Sequence, residues 1–252
     1  MPVALPFFRA SLLLALGVSF AAAQSRPEFE VATLKLSPPP EGDSININLG
    51  RVQNGKVTMA NVTLGDCLKF AWNLSSNAQF AGPAWLNEKP VRFDIVAQTK
   101  PGTPPEQIRL MLQNLLADRL KLTTHTEKRE IAYLALVPAK SGPKLQPAKP
   151  DAPQNTGPQL PGKLNHNAMG MDMLTRLLAR FERDTVIDQT GLQGQFEIHL
   201  EWEPSTRNNP DGPSGPSLYT ALQEQLGLRL IRQKGPVDIL IVDNAGKVPV
   251  DN

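Results

Sequence analysis

The chain holds one cysteine, three histidines and almost no charge imbalance, and each shortage removes a class of function. With Cys67 alone there is no internal disulfide, so an exported form must rely on its core. Cys67 sits in VTLGDCLKFAWNL on the apolar side of a helix with Leu64, Leu68 and Ala71. No base is near it in sequence, so it reads as a small buried hydrophobe rather than a nucleophile. His125, His166 and His199 show no HExxH or other metal-ligand spacing, and no metal or cofactor is assigned. The 26 basic and 24 acidic residues are interspersed. A nucleic-acid partner, which would need a concentrated basic face, is therefore not expected. No apolar run beyond the N-terminus approaches the length that spans a bilayer.

What is present begins with MPVALPFFRASLLLALGVSFAAAQS. Arg9 precedes an apolar run from Ala10 to Phe20, and Ala21-Ala22-Ala23 supplies small residues for a peptidase. This is the pattern of a secretory signal, expected to be removed after Ala23. The run is about half the length of a stable anchor, so no membrane insertion is expected once it is cleaved. No cysteine follows it, which argues against a lipoprotein anchor. The remaining chain of about 229 residues suits one larger domain or two small ones, in a periplasmic or extracellular setting.

That remainder reads as one pattern written twice. From Lys56 to Val137, and again from Lys163 to Val242, the order is strand, amphipathic helix, turn, strand, second helix, strands. The expected domains are residues 24–137, an N-terminal strand plus the first unit, and 163–252, the second unit. Between them, residues 138–162 repeat proline with few large apolar side chains and read as a linker. Residues 28–36, EFEVATLKL, alternate as a half-buried strand with Phe29, Val31 and Thr33 on one face. Thr63 is an N-cap for the helix from Leu64, and Pro104-Pro105 opens a second helix carrying Ile108, Met111, Leu112, Leu115 and Leu116. Leu122 onward is read as a strand that turns back into Ile131–Val137. Met169, Met173, Leu174, Leu177 and Leu178 mark a third helix. Their methionines admit a soft-metal reading, but helical spacing favours core filling. Phe196, Ile198, Leu200 and Trp202 alternate inward. Ser217 caps a helix that Gly227 ends, before a closing hairpin made of Leu228–Ile231 and Val237–Val242. The fold class is α+β: two related β-α-β-α-β-β subdomains, with helices packed on mainly antiparallel sheets.

Six residues are candidates for ligand or partner contact, and none is assigned as catalytic. Trp85 and Trp202 lie near loop ends, where a tryptophan either stacks on a ligand or anchors a turn. Asp94, Asp188, His199 and Glu201 would have to converge between the units to serve a hydrolase. Asp188, ahead of Thr190-Gly191, also reads as a turn-fixing aspartate.

Taken in order, FEVATLKLSPP, GPAWLNEKPVRFDIVAQ, MLQNLLADRLKLTTHTEKREIAYLALVPAKSGPKL, VIDQTGLQGQFEIHLEW and SLYTALQEQLGLRLIRQKGPVDILIVDNAGKVP resemble the exported "soil-associated", DUF3738-like family of unknown function. That family occurs in large sets in acidobacteria and related soil bacteria. Similar domains follow the membrane peptidase of BlaR-type sensors. Leu120 departs mildly from the family pattern, as does the short region around Trp202. The resemblance implies export and brings no activity and no catalytic residue. The element order also resembles, in shape alone, the N-terminal domains of secretins and TonB-dependent receptors, which bind proteins through sheet edges. The leading expectation is a non-enzymatic exported interaction protein that meets a protein partner at a sheet edge. A hydrolase with a site between the units and a sensory domain are the alternatives. Any site is expected at the seam between the units or on their edges.

Overall fold

The computed structural model describes residues 26–39, 47–88, 91–149, 162–204 and 215–250. The expected leader, residues 1–23, lies outside them, as do 150–161 of the proline-rich stretch. Three sheets and their helices form an α+β fold with mainly antiparallel pairing.

The first sheet joins β1 (Val31–Leu36), β2 (Asn48–Gln53), β3 (Lys56–Val62) and, beyond the short β4 (Phe80–Ala81), β5 (Phe93–Gln98), in the order β1-β5-β3-β2. Asn54 and Gly55, both at positive φ, make the tight turn from β2 to β3. Helix α1 (Leu64–Ala71) starts on a capping box: Thr63 accepts from the Asp66 N–H, and the Asp66 carboxylate accepts from the Thr63 N–H. Helix α2 (Pro105–Leu120) follows, ended by Lys121 in the left-handed conformation. It lays Leu112, Leu116 and Leu120 into the same core as Leu64, Leu68, Phe93 and Ile95.

In the second half, β8 (Lys163–Met169), α3 (Met171–Glu182) and β10 (Phe196–Glu201) build a second core. With them is α4 (Leu218–Ala221), which runs on into a π-helical turn, Leu222–Leu226. The short β7 (Gln146–Pro147) pairs with β10 on the side away from β8. Registers recur between the halves. Lys56, Val57, Thr58 and Met59 face Gln98, Ala97, Val96 and Ile95, and the ladder slips by one residue before Val62 meets Phe93. Lys163, Leu164, Asn165 and His166 face Glu201, Leu200, His199 and Ile198, with the same slip before Met169 meets Phe196.

Between these outer sheets lies a third, ordered β4-β11-β6-β9. Its centre is an antiparallel ribbon of β6 (Thr123–Pro138) and β11 (Leu228–Asn244). β4, from the first half, pairs in parallel with β11 of the second. β9 (Val186–Asp188), from the second half, pairs in parallel with β6 of the first. Leu134 and Leu136 of β6 thus reach the second core, and Leu240 and Val242 of β11 reach the first.

Three expectations are corrected. The two closing hairpins are instead two unbroken strands, β6 and β11, that pair with each other along their length. The charged run Glu127–Glu130 and the pair Gly235-Pro236 look like turns, yet they face each other at mid-ribbon. There Lys128 bridges to Asp238 at 2.9 Å and Arg129 to Glu127 at 2.7 Å. Met169 ends β8 rather than opening α3. In β1, Ala32 and Leu34 point inward while Val31 and Thr33 point out. Register decides this: Leu34 lies opposite Ile95 and Ala32 opposite Ala97, both buried, and directly paired residues share a face.

Candidate functional site

The six candidate residues are dispersed over the structure. Trp85 lies in a 3₁₀ turn, Ala84–Asn87, buried in the first core, with the Lys247 ammonium 5.7 Å from its ring centre. Trp202 is buried in the second core against Phe181, ring centres 5.1 Å apart and tilted by 50°. Neither indole face is laid open for stacking, and both anchor the chain where it leaves a core.

The polar candidates stand on three different sheets. Asp94, on β5, accepts from the Ser37 hydroxyl at 2.7 Å and from the Asn61 N–H at 2.9 Å. It ties the end of β1 to the slipped stretch of β3. Asp188, at the end of β9, accepts from the Thr190 N–H at 2.9 Å and its hydroxyl at 2.7 Å, the turn-fixing role that its neighbours imply. His199 and Glu201 share the outward face of β10. The His199 Nδ1 is 2.5 Å from the Asn165 side-chain oxygen, and Glu201 meets Lys163 at 2.6 Å. The Lys163 hydrogen bond holds the Glu201 carboxyl below its usual range. Each group is committed to a local bond, and the hydrolase constellation is not assembled.

Elsewhere, burial pushes the Cys67 thiol up, first by desolvation and then by the Asp66 charge, so it stays protonated. Among the described residues, no group of three or more His, Cys, Asp and Glu stands arranged to hold a metal ion. No described helix is long and apolar enough to cross a membrane.

Two polar groups escaped the sequence reading. Along the ribbon, the His125 Nδ1 lies 2.8 Å from Asp243, and its Nε2 lies 3.2 Å from Glu127. Reading Thr123–Pro138 as one strand would have placed His125, Glu127 and Arg129 on one face, but the residues between them looked like a turn. At the seam between the halves, Arg109 of α2 and Arg176 of α3 both approach Asp172 at 3.5 Å. Arg176 also donates to Asn73 of the first half. Nearby, the Ser76 and Thr185 hydroxyls meet at 2.6 Å. The contacts across the seam join residues 63 to 109 positions apart, and no local pattern announces them.

The His125 group makes stability depend on pH. Hydrogen bonding to Asp243, then to Glu127, raises the imidazole pKa above its ordinary 6.5. A raised folded pKa gives a contribution fully present below the unfolded value and lost as pH climbs through the folded one. The gap in melting temperature between the native chain and His125→Gln should therefore be widest below the ordinary pKa of 6.5 and shrink as pH rises through the raised folded value. A gap that widens with rising pH contradicts this assignment.

Residues 65–245 match the family model described as a protein of unknown function, DUF3738. The chain belongs to that family. The match runs from α1 through β11, so it takes in β5 of the first outer sheet, the whole second outer sheet and the shared ribbon of this DUF3738 chain, while β1, β2 and β3 precede it. No curated protein and no solved structure matches it.

Proposed function

We propose that this DUF3738 chain is an exported, non-enzymatic interaction module that offers the open edge of β1 to an extended segment of a protein partner. One observation carries the reading. Among the described residues, β1 pairs only with β5. The Ser37 N–H donates to the Arg92 carbonyl at 2.9 Å, which fixes which residues of β1 face β5. By alternation, the N–H and C=O groups of Ala32, Leu34 and Leu36 turn away from it. Val31 is 67% exposed and Leu36 44% exposed on this strand. The strand carries no internal proline and one lysine, so it lacks most of the devices that blunt an edge. An edge of this kind recognises a partner by main-chain pairing, with side-chain contacts setting specificity. The scatter of the carboxylates and histidines over three sheets supports binding over hydrolysis. Export rests on the leader pattern, and recovery of a periplasmic product starting at Gln24 is the expected result.

The edge is tested with Leu36→Pro, which removes one outward N–H while its side chain is already half out. Chemical cross-linking in periplasmic extract should trap a partner on the native chain and lose it at least tenfold on Leu36→Pro. The melting temperature should move by only about 2 °C. Equal trapping by both, or no partner on either, counts against the reading.

A further inference from the structure

The shared sheet has an internal symmetry that fixes what kind of surface joins the halves. Phe80 pairs with Leu240, and Val186 pairs with Leu134. Phe80 and Val186 are 106 positions apart, and so are Leu134 and Leu240. The left-handed caps that release β6 and β11, Lys121 and Gly227, differ by the same 106. A shift of 106 therefore carries each parallel pair onto the other. Applied to the antiparallel ribbon, it maps the ladder onto itself as far as the slip after Val242, and the facing residues Glu130 and Pro236 exchange places. A two-fold axis thus passes through the Glu130–Pro236 pair, and the parallel strand pairing on one side of it has its counterpart on the other. An interface in which the same patch meets itself is that of a two-fold homodimer.

We infer that the chain is a fused dimer of one unit, and that the surface joining its halves fits a second copy of this chain. The first half of one molecule takes the second half of another through the same β4–β11, β6–β11 and β9–β6 pairings, giving a swapped dimer. The connection between halves decides which partner is used. Pro147 lies opposite Phe196 and Lys163 opposite Glu201, on the two sides of β10. The path between them is about 19 Å, from five residues of strand rise and two strand spacings. The natural connection covers it easily. With residues 150–161 deleted, the three residues left between Pro147 and Lys163 reach about 14 Å.

The experiment uses the full chain with a specific protease site placed within residues 150–161. It is unfolded in guanidinium and refolded at about 10 mg/mL, and masses are read by light scattering. The expected result is a fraction of twice the monomer mass that returns to monomer mass when the site is cut. The cut monomer itself should stay a one-to-one complex of its halves. Deleting 150–161 should raise the dimer fraction several-fold. Refolding to monomer alone overturns the inference. So does a dimer that survives cutting, since that marks association through another surface such as β1. Separation of the cut monomer into two folded pieces overturns it as well.

Discussion

Leu136→Ala is expected to destabilise the chain by about 3 kcal/mol, with the damage appearing in the half that does not contain it. Leu136 belongs to β6 of the first half, is fully buried, and packs among Leu164, Leu174, Leu178 and Leu222 of the second core. Truncating a buried leucine loses transfer free energy and leaves a cavity, typically about 2–5 kcal/mol. The mirror variant is Leu240→Ala. Leu240 is on β11 of the second half, yet it lies in the first core with Leu64, Leu68 and Phe93. Urea unfolding should show lower midpoints for both with unchanged slope. Hydrogen exchange adds the discriminating detail. Amides of α3 should lose protection in Leu136→Ala, and amides of α1 and α2 in Leu240→Ala. Loss confined to the half that carries the substitution would contradict the crossed packing.

Gly227→Ala is the second large effect, expected at about 3 kcal/mol or more. Gly227 ends the π-helical turn at φ +64 and leads into β11. A side chain in the left-handed region costs roughly 1–2 kcal/mol. Here a Cβ would also stand 2.2 Å from the Gly142 carbonyl oxygen, 2.8 Å from the Lys144 nitrogen and 3.0 Å from the Pro143 Cα. All three are backbone atoms of a turn clamped onto this point: the Ala139 N–H donates to the Gly227 carbonyl and the Lys144 N–H to the Leu226 carbonyl. The turn cannot yield without breaking those bonds. Lys121, the matching cap after α2, already holds a side chain at φ 51. Lys121→Gly should therefore stabilise by up to about 1 kcal/mol. Opposite signs at the two caps, read from denaturant midpoints, are the expected outcome; equal and small effects would show that the Gly142–Lys144 turn gives way.

Local chemistry was legible in the sequence where it acts locally. The Thr63–Asp66 capping box, the Asn54-Gly55 turn, the inward alternation of Ile198, Leu200 and Trp202, and the Asp188–Thr190 turn all involve residues a few positions apart. The order of elements in the two halves was legible for the same reason. The crossing of the halves was not. It depends on β4 and β9, strands of two and three residues, too short to carry a period. It depends also on β6 and β11, whose middles carry the exposed charges Glu127–Glu130 and Gly235-Pro236 and so read as turns, although Val237 and Ile239 beside them are buried with Tyr133 and Ala135. The inner face of β1 was misjudged because Phe29, which set the expected alternation, lies ahead of the strand. Asp94 shows the limit for site residues. Its partners Ser37 and Asn61 are 57 and 33 positions away, so its role as a tie could not be told from that of a free carboxylate.

The crossing matters for function because it decides what kind of object carries the β1 edge. An edge on a rigid body keeps its pairing groups preorganised, whereas an edge on a small, separately opening domain would cost part of its binding energy in ordering. The measurement that tests this most directly is differential scanning calorimetry of the mature chain. The expected result is one transition, with the calorimetric enthalpy equal to the van't Hoff enthalpy. Two resolved transitions, or a calorimetric enthalpy near twice the van't Hoff value, would show the halves melting apart and contradict the shared sheet as the element that makes them one.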